Sequence, residues 1–185
     1  YFDIFYSHRY DGFTPVEETA QALIDMVRAG KALYVGISKY PPLQAKQMYD
    51  LLRAAGVPCL ISQYRYSMFE RTPEQESIAL AAQEGSGFIA FSPLAQGLLT
   101  NKYLNGIPEN SRATRGVFLK AEQITPEKLA IIRQLNDLAA QRNQSLAQMA
   151  LAWVLRDERV TSVIIGSSSV KQLNDNLQTI NHLDF

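Results

Sequence analysis

Five polar clusters each follow a short apolar run. His8-Arg9 follows Ile4-Phe5-Tyr6, Ser38-Lys39 follows Leu33 to Ile37, and Gln63-Tyr64 follows Cys59-Leu60-Ile61. Ser92-Pro93 follows Phe88 to Phe91, and Gly166-Ser167-Ser168 follows Val163-Ile164-Ile165. A histidine at the end of a strand is placed to donate a hydrogen bond to a carbonyl oxygen or to move a proton. Small residues between a strand and a helix leave backbone N–H groups open to a phosphate, and the helix dipole adds positive potential there. Lys102 and Arg112 lie in a loop-like stretch and supply two cations suited to clamping a pyrophosphate. Each of these features has a plainer reading: a polar residue starting a loop, a serine that caps a helix, or solvated loop charges. The recurrence of all five clusters favours a shared site.

These clusters need elements that bring them to one edge. The sequence alternates short β-rich runs with amphipathic helical segments. A helix starts near Pro15, where proline suits a first turn, and stops at Gly30. A second follows Pro41-Pro42 and ends at Gly56, and a third is expected over Pro73 to Glu84. After the fourth strand the rhythm breaks into a stretch from Leu94 to about Ile124 that reads as a long loop, a length usually tied to function. Two helices follow, over Pro126 to Arg142 and Leu146 to Arg156, with Ser145 as a candidate cap between them. The fifth strand is Val163-Ile164-Ile165, and a last helix runs from Val170 to about Ile180.

Regular βα alternation implies a parallel sheet, because parallel strands need a crossover. A doubly wound sheet and a (β/α)8 barrel are both compatible, and the strand spacing, near the roughly 31 residues per unit of the barrel, does not choose between them. The 185 residues suit a single domain, 1–185. Eighteen basic residues balance 18 acidic ones, so nothing draws the chain to nucleic acid or an anionic membrane. No apolar stretch approaches the length of a membrane span. The lone cysteine, Cys59, excludes an internal disulfide and reads as a buried strand thiol, compatible with a reducing cytoplasm. Two histidines and one cysteine are too few for a metal site. His182 reads as solvated in the tail, and His8 is equally compatible with a buried structural histidine.

With these residues in view, the chain resembles the aldo-keto reductase superfamily from the fourth barrel strand to the helix after the eighth. The resemblance rests on four stretches in order. They are Asp3-Ile4-Phe5-Tyr6-Ser7-His8, Gly30 through Ser38, the run Ser92-Pro93-Leu94-Ala95-Gln96-Gly97-Leu98-Leu99-Thr100-Asn101-Lys102-Tyr103, and Gly166 through Asn176. It is nearest to the group holding the bacterial glyceraldehyde 3-phosphate reductases and the potassium channel β subunits.

The resemblance implies a (β/α)8 TIM barrel, of which this chain holds about strands four to eight, with NADPH across the carboxyl ends. It implies hydride transfer to an aldehyde or ketone, including small phosphorylated aldehydes or methylglyoxal. His8 then orients the carbonyl, and Ser38 and Gln63 hold the nicotinamide carboxamide. Ser92, Pro93, Leu94, Gln96 and Gly97 line the pyrophosphate and ribose, with Lys102 and Arg112 on the phosphates. Gly166, Ser168, Gln172, Asp175 and Asn176 surround the adenine and the 2′-phosphate. Tyr66 lies near this set without a role. Lys39 departs from the asparagine found in many members, which weakens one carboxamide contact. The family's catalytic Asp, Tyr and Lys come from strands before the histidine, outside residues 1–185, so these residues alone are expected to be nearly inactive. The expected partner is a small carbonyl substrate, in a cytoplasmic protein of tetrameric or larger assembly. The alternative implied by the same resemblance is an NADPH-binding regulatory subunit, against which His8 counts, because the channel subunits have asparagine there.

Overall fold

The computed structural model describes residues 1–109 and 111–185. The chain forms two compact units: residues 1–65, 71–91 and 158–162 make the first, and residues 66–70, 92–157 and 163–185 the second.

The first unit is built on strands β1 (Phe2–Ser7), β2 (Ala32–Ser38), β3 (Cys59–Arg65) and β4 (Gly87–Phe91). They pair in parallel and in sequence order. Helices α1 (Val16–Arg28), α2 (Pro42–Ala54) and α3 (Ser77–Gln83) are the crossovers. β5 (Val160–Ile164) follows β4 in the sheet order, and the Phe88 amide donates to Thr161 Oγ1 at 3.1 Å. The sheet is therefore the parallel α/β arrangement that the alternation predicts. Several boundaries differ: β3 runs on to Arg65, so Gln63 and Tyr64 lie within the strand rather than after it, and the last helix ends at Leu177 and passes into a 3-10 turn. The third helix begins at Ser77, preceded by a separate 3-10 turn at Thr72–Glu74, because Pro73 starts one turn and the chain bends at Glu76 before the next. β5 opens three residues earlier than its apolar run, at Val160.

Alternation fixes what each sheet face carries. Val35 and Ile37 of β2 join Leu23 and Ile24 of α1 and Met48 and Leu52 of α2 in a buried cluster. The opposite face is set by a close-packed row. Gly36 pairs with Tyr6 on one side and Ile61 on the other. A Cβ on Gly36 would sit 2.8 Å from both the Tyr6 ring and Ile61 Cγ2, and one on Gly87 would sit 2.7 Å from Ile61 Cδ1. Glycine at these two positions makes room for the large side chains between them. Two residues further along, on the same faces as Gly36 and Ile61, stand Ser38 and Gln63.

Polar groups under α2 are satisfied locally. The Tyr49 and Ser62 hydroxyls share a 2.5 Å hydrogen bond, and Ser62 and Ser86 a longer one at 3.4 Å. Tyr64 Oη donates to the Tyr40 carbonyl at 2.8 Å while its ring stacks on Phe88, with centroids 5.5 Å apart. Burial pushes the Tyr49 hydroxyl up to about 12, and burial likewise raises Tyr64 and the Cys59 thiol. Cys59 is buried, as its apolar flanks predict. A phenol neutral in the fold to about pH 12 but ionised from about pH 10 when unfolded stabilises the fold fully below pH 10 and loses that contribution as pH rises toward 12. Tyr49→Phe is expected to cost about 1 kcal/mol near neutrality. It should also remove about 2–3 kcal/mol of the stability lost between pH 10 and 12. Denaturant titrations across that window check this, and an unchanged pH slope would refute it.

The second unit carries α4 (Arg112–Arg115), α5 (Pro126–Gln141), α6 (Leu146–Leu155) and α7 (Val170–Leu177). Within the expected loop, residues 94–109 and 111–124 do not form an open loop; residue 110 lies outside the described residues. Short 3-10 turns at Ala95–Gly97, Asn101–Tyr103 and Ala121–Gln123 and the single turn of α4 fold it, and Leu99, Tyr103, Ala113 and Leu119 pack with Ile132, Ala139 and Met149. Ser145 caps α6 in a reciprocal box with Gln148: the Gln148 amide donates to Ser145 Oγ and the Ser145 amide to Gln148 Oε1. α7 leaves Val170, Leu173 and Leu177 exposed. His182 is exposed, as expected, and the turn between α5 and α6 holds the tail through Gln144, whose Nε2 donates to the His182 carbonyl at 2.9 Å.

Candidate cofactor and carbonyl site

The first unit brings His8, Ser38, Lys39 and Gln63 to the carboxyl ends of its strands. His8 follows Ser7, whose partner on β2 is Ile37, one residue before Ser38. It is exposed, which removes the alternative of a histidine buried in the core. Ser38 and Gln63 are Cα partners on adjacent strands, so their side chains stand side by side at roughly the 4.8 Å strand spacing. Ser38 is 2% exposed, yet its hydroxyl has no hydrogen-bond partner among the described residues. Leaving a buried hydroxyl unpaired costs about 1–3 kcal/mol, and a ligand amide would repay it. Gln63 is half-buried, and its carbonyl accepts from the Lys39 amide at 3.1 Å, which extends the β2–β3 ladder by one residue.

Lys39 adopts φ 55°, unusual for a residue with a Cβ. Its ammonium lies 4.9 Å from the centroid of the Phe91 ring at the end of β4. Nothing in the sequence announces this conformation, since left-handed backbone is legible only where glycine or asparagine occupies the position.

The second unit gathers most of the other predicted residues. Ser92, Ala95, Gln96 and Gly97 have φ of 54°, 47°, 62° and 97°. A non-glycine residue in this region costs on the order of 1–3 kcal/mol and persists only where its surroundings enforce it. The Gly97 and Leu99 amides close the turn onto the Leu94 carbonyl, and Thr100 Oγ1 donates to the Gly97 carbonyl at 2.7 Å. Pro93, within the same segment, is buried. The turn is thereby held so that Gln96 bridges two predicted residues. Its Nε2 donates to Ser92 Oγ at 2.8 Å, and its Oε1 accepts from Arg112 Nη1 at 2.8 Å. Arg112 meets no carboxylate among the described residues, and Gly166 lies beside it: a Cβ there would come within 3.6 Å of Nη2. Ser92, Gln96, Arg112 and Gly166 thus form one continuous set carrying an uncompensated cation.

At the α7 end the picture is mixed. Ser169 caps the helix by accepting from the Gln172 amide at 3.2 Å. Gln172 Oε1 accepts from both the amide and the hydroxyl of Ser168, at 2.8 and 2.9 Å, and so occupies donors that a phosphate would use. Asn176 is buried and its Nδ2 donates to Ser167 Oγ at 3.4 Å. Both carboxylate oxygens of Asp175 are engaged by α6, from Ser145 Oγ at 3.1 Å and Gln148 Nε2 at 2.9 Å, which gives Asp175 a part in fastening α7. Lys102 is exposed, and its ammonium makes no hydrogen bond or ion pair among the described residues. Tyr66 is fully buried, accepts from Arg156 Nη1 at 3.1 Å and tilts against Trp153, as a packing residue does.

Among the described residues no group of three or more His, Cys, Asp or Glu is placed to hold a metal, and no helix is long and apolar enough to cross a membrane. A model of the aldo/keto reductase family matches residues 1–185. L-glyceraldehyde 3-phosphate reductases of Escherichia coli K12 and O157:H7 are each 51% identical over 192 residues, covering 100% of this chain and 55% of their own length. The chain spans about half the length of these curated relatives.

Proposed function

Because this chain belongs to the aldo/keto reductase family, we propose that the protein carrying it reduces small aldehydes or ketones with NADPH, phosphorylated aldehydes and methylglyoxal among them. The observation that carries this reading is the unpartnered, buried Ser38 hydroxyl in register with Gln63. A carboxamide has a donor and an acceptor to offer that pair, which fits the nicotinamide. The similarity to L-glyceraldehyde 3-phosphate reductases supports the same class of chemistry. The proposed frame is a (β/α)8 barrel, of which the five strands here are part.

Bound NADPH supplies the hydride; the protein aims it and stabilises the oxygen that gains charge. Ser38 and Gln63 fix the plane of the nicotinamide. His8 donates to the carbonyl oxygen and holds it in line. Arg112 and Lys102 take the phosphates, with Ser92, Gln96 and Gly97 shaping the turn that meets them. Ser168 and Asn176 border the adenine end, and Gln172 must turn from the Ser168 donors to admit a 2′-phosphate.

The test uses the full-length protein. NADPH oxidation should accelerate with short aldehydes, and fluorescence titration should detect NADPH binding. Arg112→Met is expected to weaken that binding about 10- to 100-fold, the loss of one or two charge-assisted hydrogen bonds. Absence of both turnover and nucleotide uptake would overturn the reading.

A further inference from the structure

An acidic or amide side chain precedes glycine in Asp11-Gly12 and Asn105-Gly106. In such a pair the side-chain carbonyl lies within reach of the next backbone nitrogen, and glycine has no Cβ to shield that nitrogen. The structure treats the two pairs oppositely. The Asp11 carboxylate is tied into a turn: Oδ2 accepts from the Thr14 hydroxyl at 2.6 Å, and Oδ1 from the Phe13 and Thr14 amides at 3.1 and 2.9 Å. The Thr14 hydroxyl and then these amides hold its pKa below the usual carboxylate range, and an ionised carboxylate is a poor electrophile. Asn105 is exposed just after the 3-10 turn Asn101–Tyr103, and its carboxamide makes no hydrogen bond among the described residues. Gly106 is also exposed, at φ 115°, and open space surrounds the place where a Cβ would stand. Its amide donates to the Tyr103 carbonyl at 3.4 Å, beyond the usual range, so little restrains that nitrogen.

We propose that Asn105-Gly106 is a self-modification site, at which a carboxamide becomes a carboxylate inside the segment that carries Lys102 and Arg112. The Gly106 nitrogen gives its proton to solvent base and bonds to Asn105 Cγ. The Cγ–Nδ2 bond breaks, and that nitrogen takes a proton from solvent and leaves as ammonia. Water then adds to one of the two carbonyls of the cyclic imide. Opening at one carbonyl leaves an aspartyl side chain. Opening at the other routes the main chain through Cγ, as an isoaspartyl link one methylene longer. Either product adds a negative charge to the segment. The longer link also has to fit between Tyr103 and Ser111, both buried. The new charge works against the cations beside it. That consequence rests on the carbonyl-reductase reading, in which Lys102 and Arg112 take the phosphates; the reaction itself does not.

The experiment ages the full-length protein at mildly alkaline pH and digests it beside fresh protein. The peptide spanning position 105 should gain the mass of an amide-to-acid exchange and split into two chromatographic forms, one of them accepting methyl groups from an isoaspartyl methyltransferase. The peptide holding Asp11-Gly12 should accept none over the same period. Asn105→Gln, whose longer side chain needs a six-membered ring to react, should stay unmodified. Ageing should weaken NADPH binding by wild type about 2- to 5-fold, the size of one exposed charge interaction, and should leave binding by Asn105→Gln unchanged. Unaged Asn105→Asp should reproduce part of the loss. An intact amide at position 105 after ageing, or as much isoaspartate at position 11 as at position 105, would overturn the proposal. Modification with unchanged NADPH affinity would overturn its link to the nucleotide. If fresh wild type takes up no NADPH, the carbonyl-reductase reading fails, and the peptide masses still decide the modification.

Discussion

His8→Ala in the full-length protein is expected to lower kcat about 100- to 1,000-fold, the usual loss when one donor to a developing oxyanion is removed. The structure makes this a clean test. His8 stands exposed at the end of β1, outside the packed cluster beneath the sheet. Stability should therefore change by no more than about 0.5 kcal/mol, and NADPH affinity should hold within a few-fold because His8 is assigned no cofactor contact. His8→Asn restores a donor at shorter reach and should recover part of the loss. The decisive measurement is the pair of constants, turnover and nucleotide affinity, on the same preparations. A variant with wild-type turnover would remove His8 from the reaction, and one that lost nucleotide binding in proportion would make it a cofactor residue.

The largest expected effect on stability is at Gly36. A valine there places its Cβ 2.8 Å from the Tyr6 ring and from Ile61 Cγ2, and 3.0 Å from the Ile61 carbonyl oxygen. The first two are side chains that could give way, but the carbonyl belongs to the β3 backbone and cannot move without opening the β2–β3 ladder. Gly36→Val should cost about 3 kcal/mol. Gly87→Ala should cost less, since the atom it meets first is the far end of Ile61. Midpoints of chemical denaturation measure both. Equal midpoints for wild type and Gly36→Val would mean that the sheet face carrying Gly36 is looser than its distances say.

Much of the first unit was legible in the residues themselves. β1 to β4 declare themselves because each apolar run ends in a polar cluster, and α1 and α2 because proline starts them and glycine closes them. The third helix was overextended, because helical spacing continues through Pro73 while the backbone breaks at Glu76. Residues 94–109 and 111–124 read as loop because short 3-10 turns bury irregularly spaced residues such as Ala95, Leu99, Tyr103 and Leu119, with no period to detect. The predicted residues Ser92, Gln96, Arg112 and Gly166 prove to be neighbours, but the Gln96 bridge joins positions 16 apart through a loop, and no spacing rule gives that. Asp175 shows the converse. Its place in a motif suggested a ligand, whereas its carboxylate is taken up by the cap of α6. The unpartnered hydroxyl of Ser38, one of three buried hydroxyls without a partner among the described residues, is equally invisible in sequence, because satisfaction is a property of neighbours.

The left-handed residues Ala95, Gln96 and Gly97 have a consequence for anyone engineering this scaffold. Glycine would relieve the backbone at positions 95 and 96, so an optimiser that rewards thermal tolerance alone will be drawn there first. The Gln96 side chain that ties Ser92 to Arg112 would vanish with the relief. Durability and the proposed nucleotide recognition would thus compete for the same few residues, and selection for one has to be policed by an assay for the other.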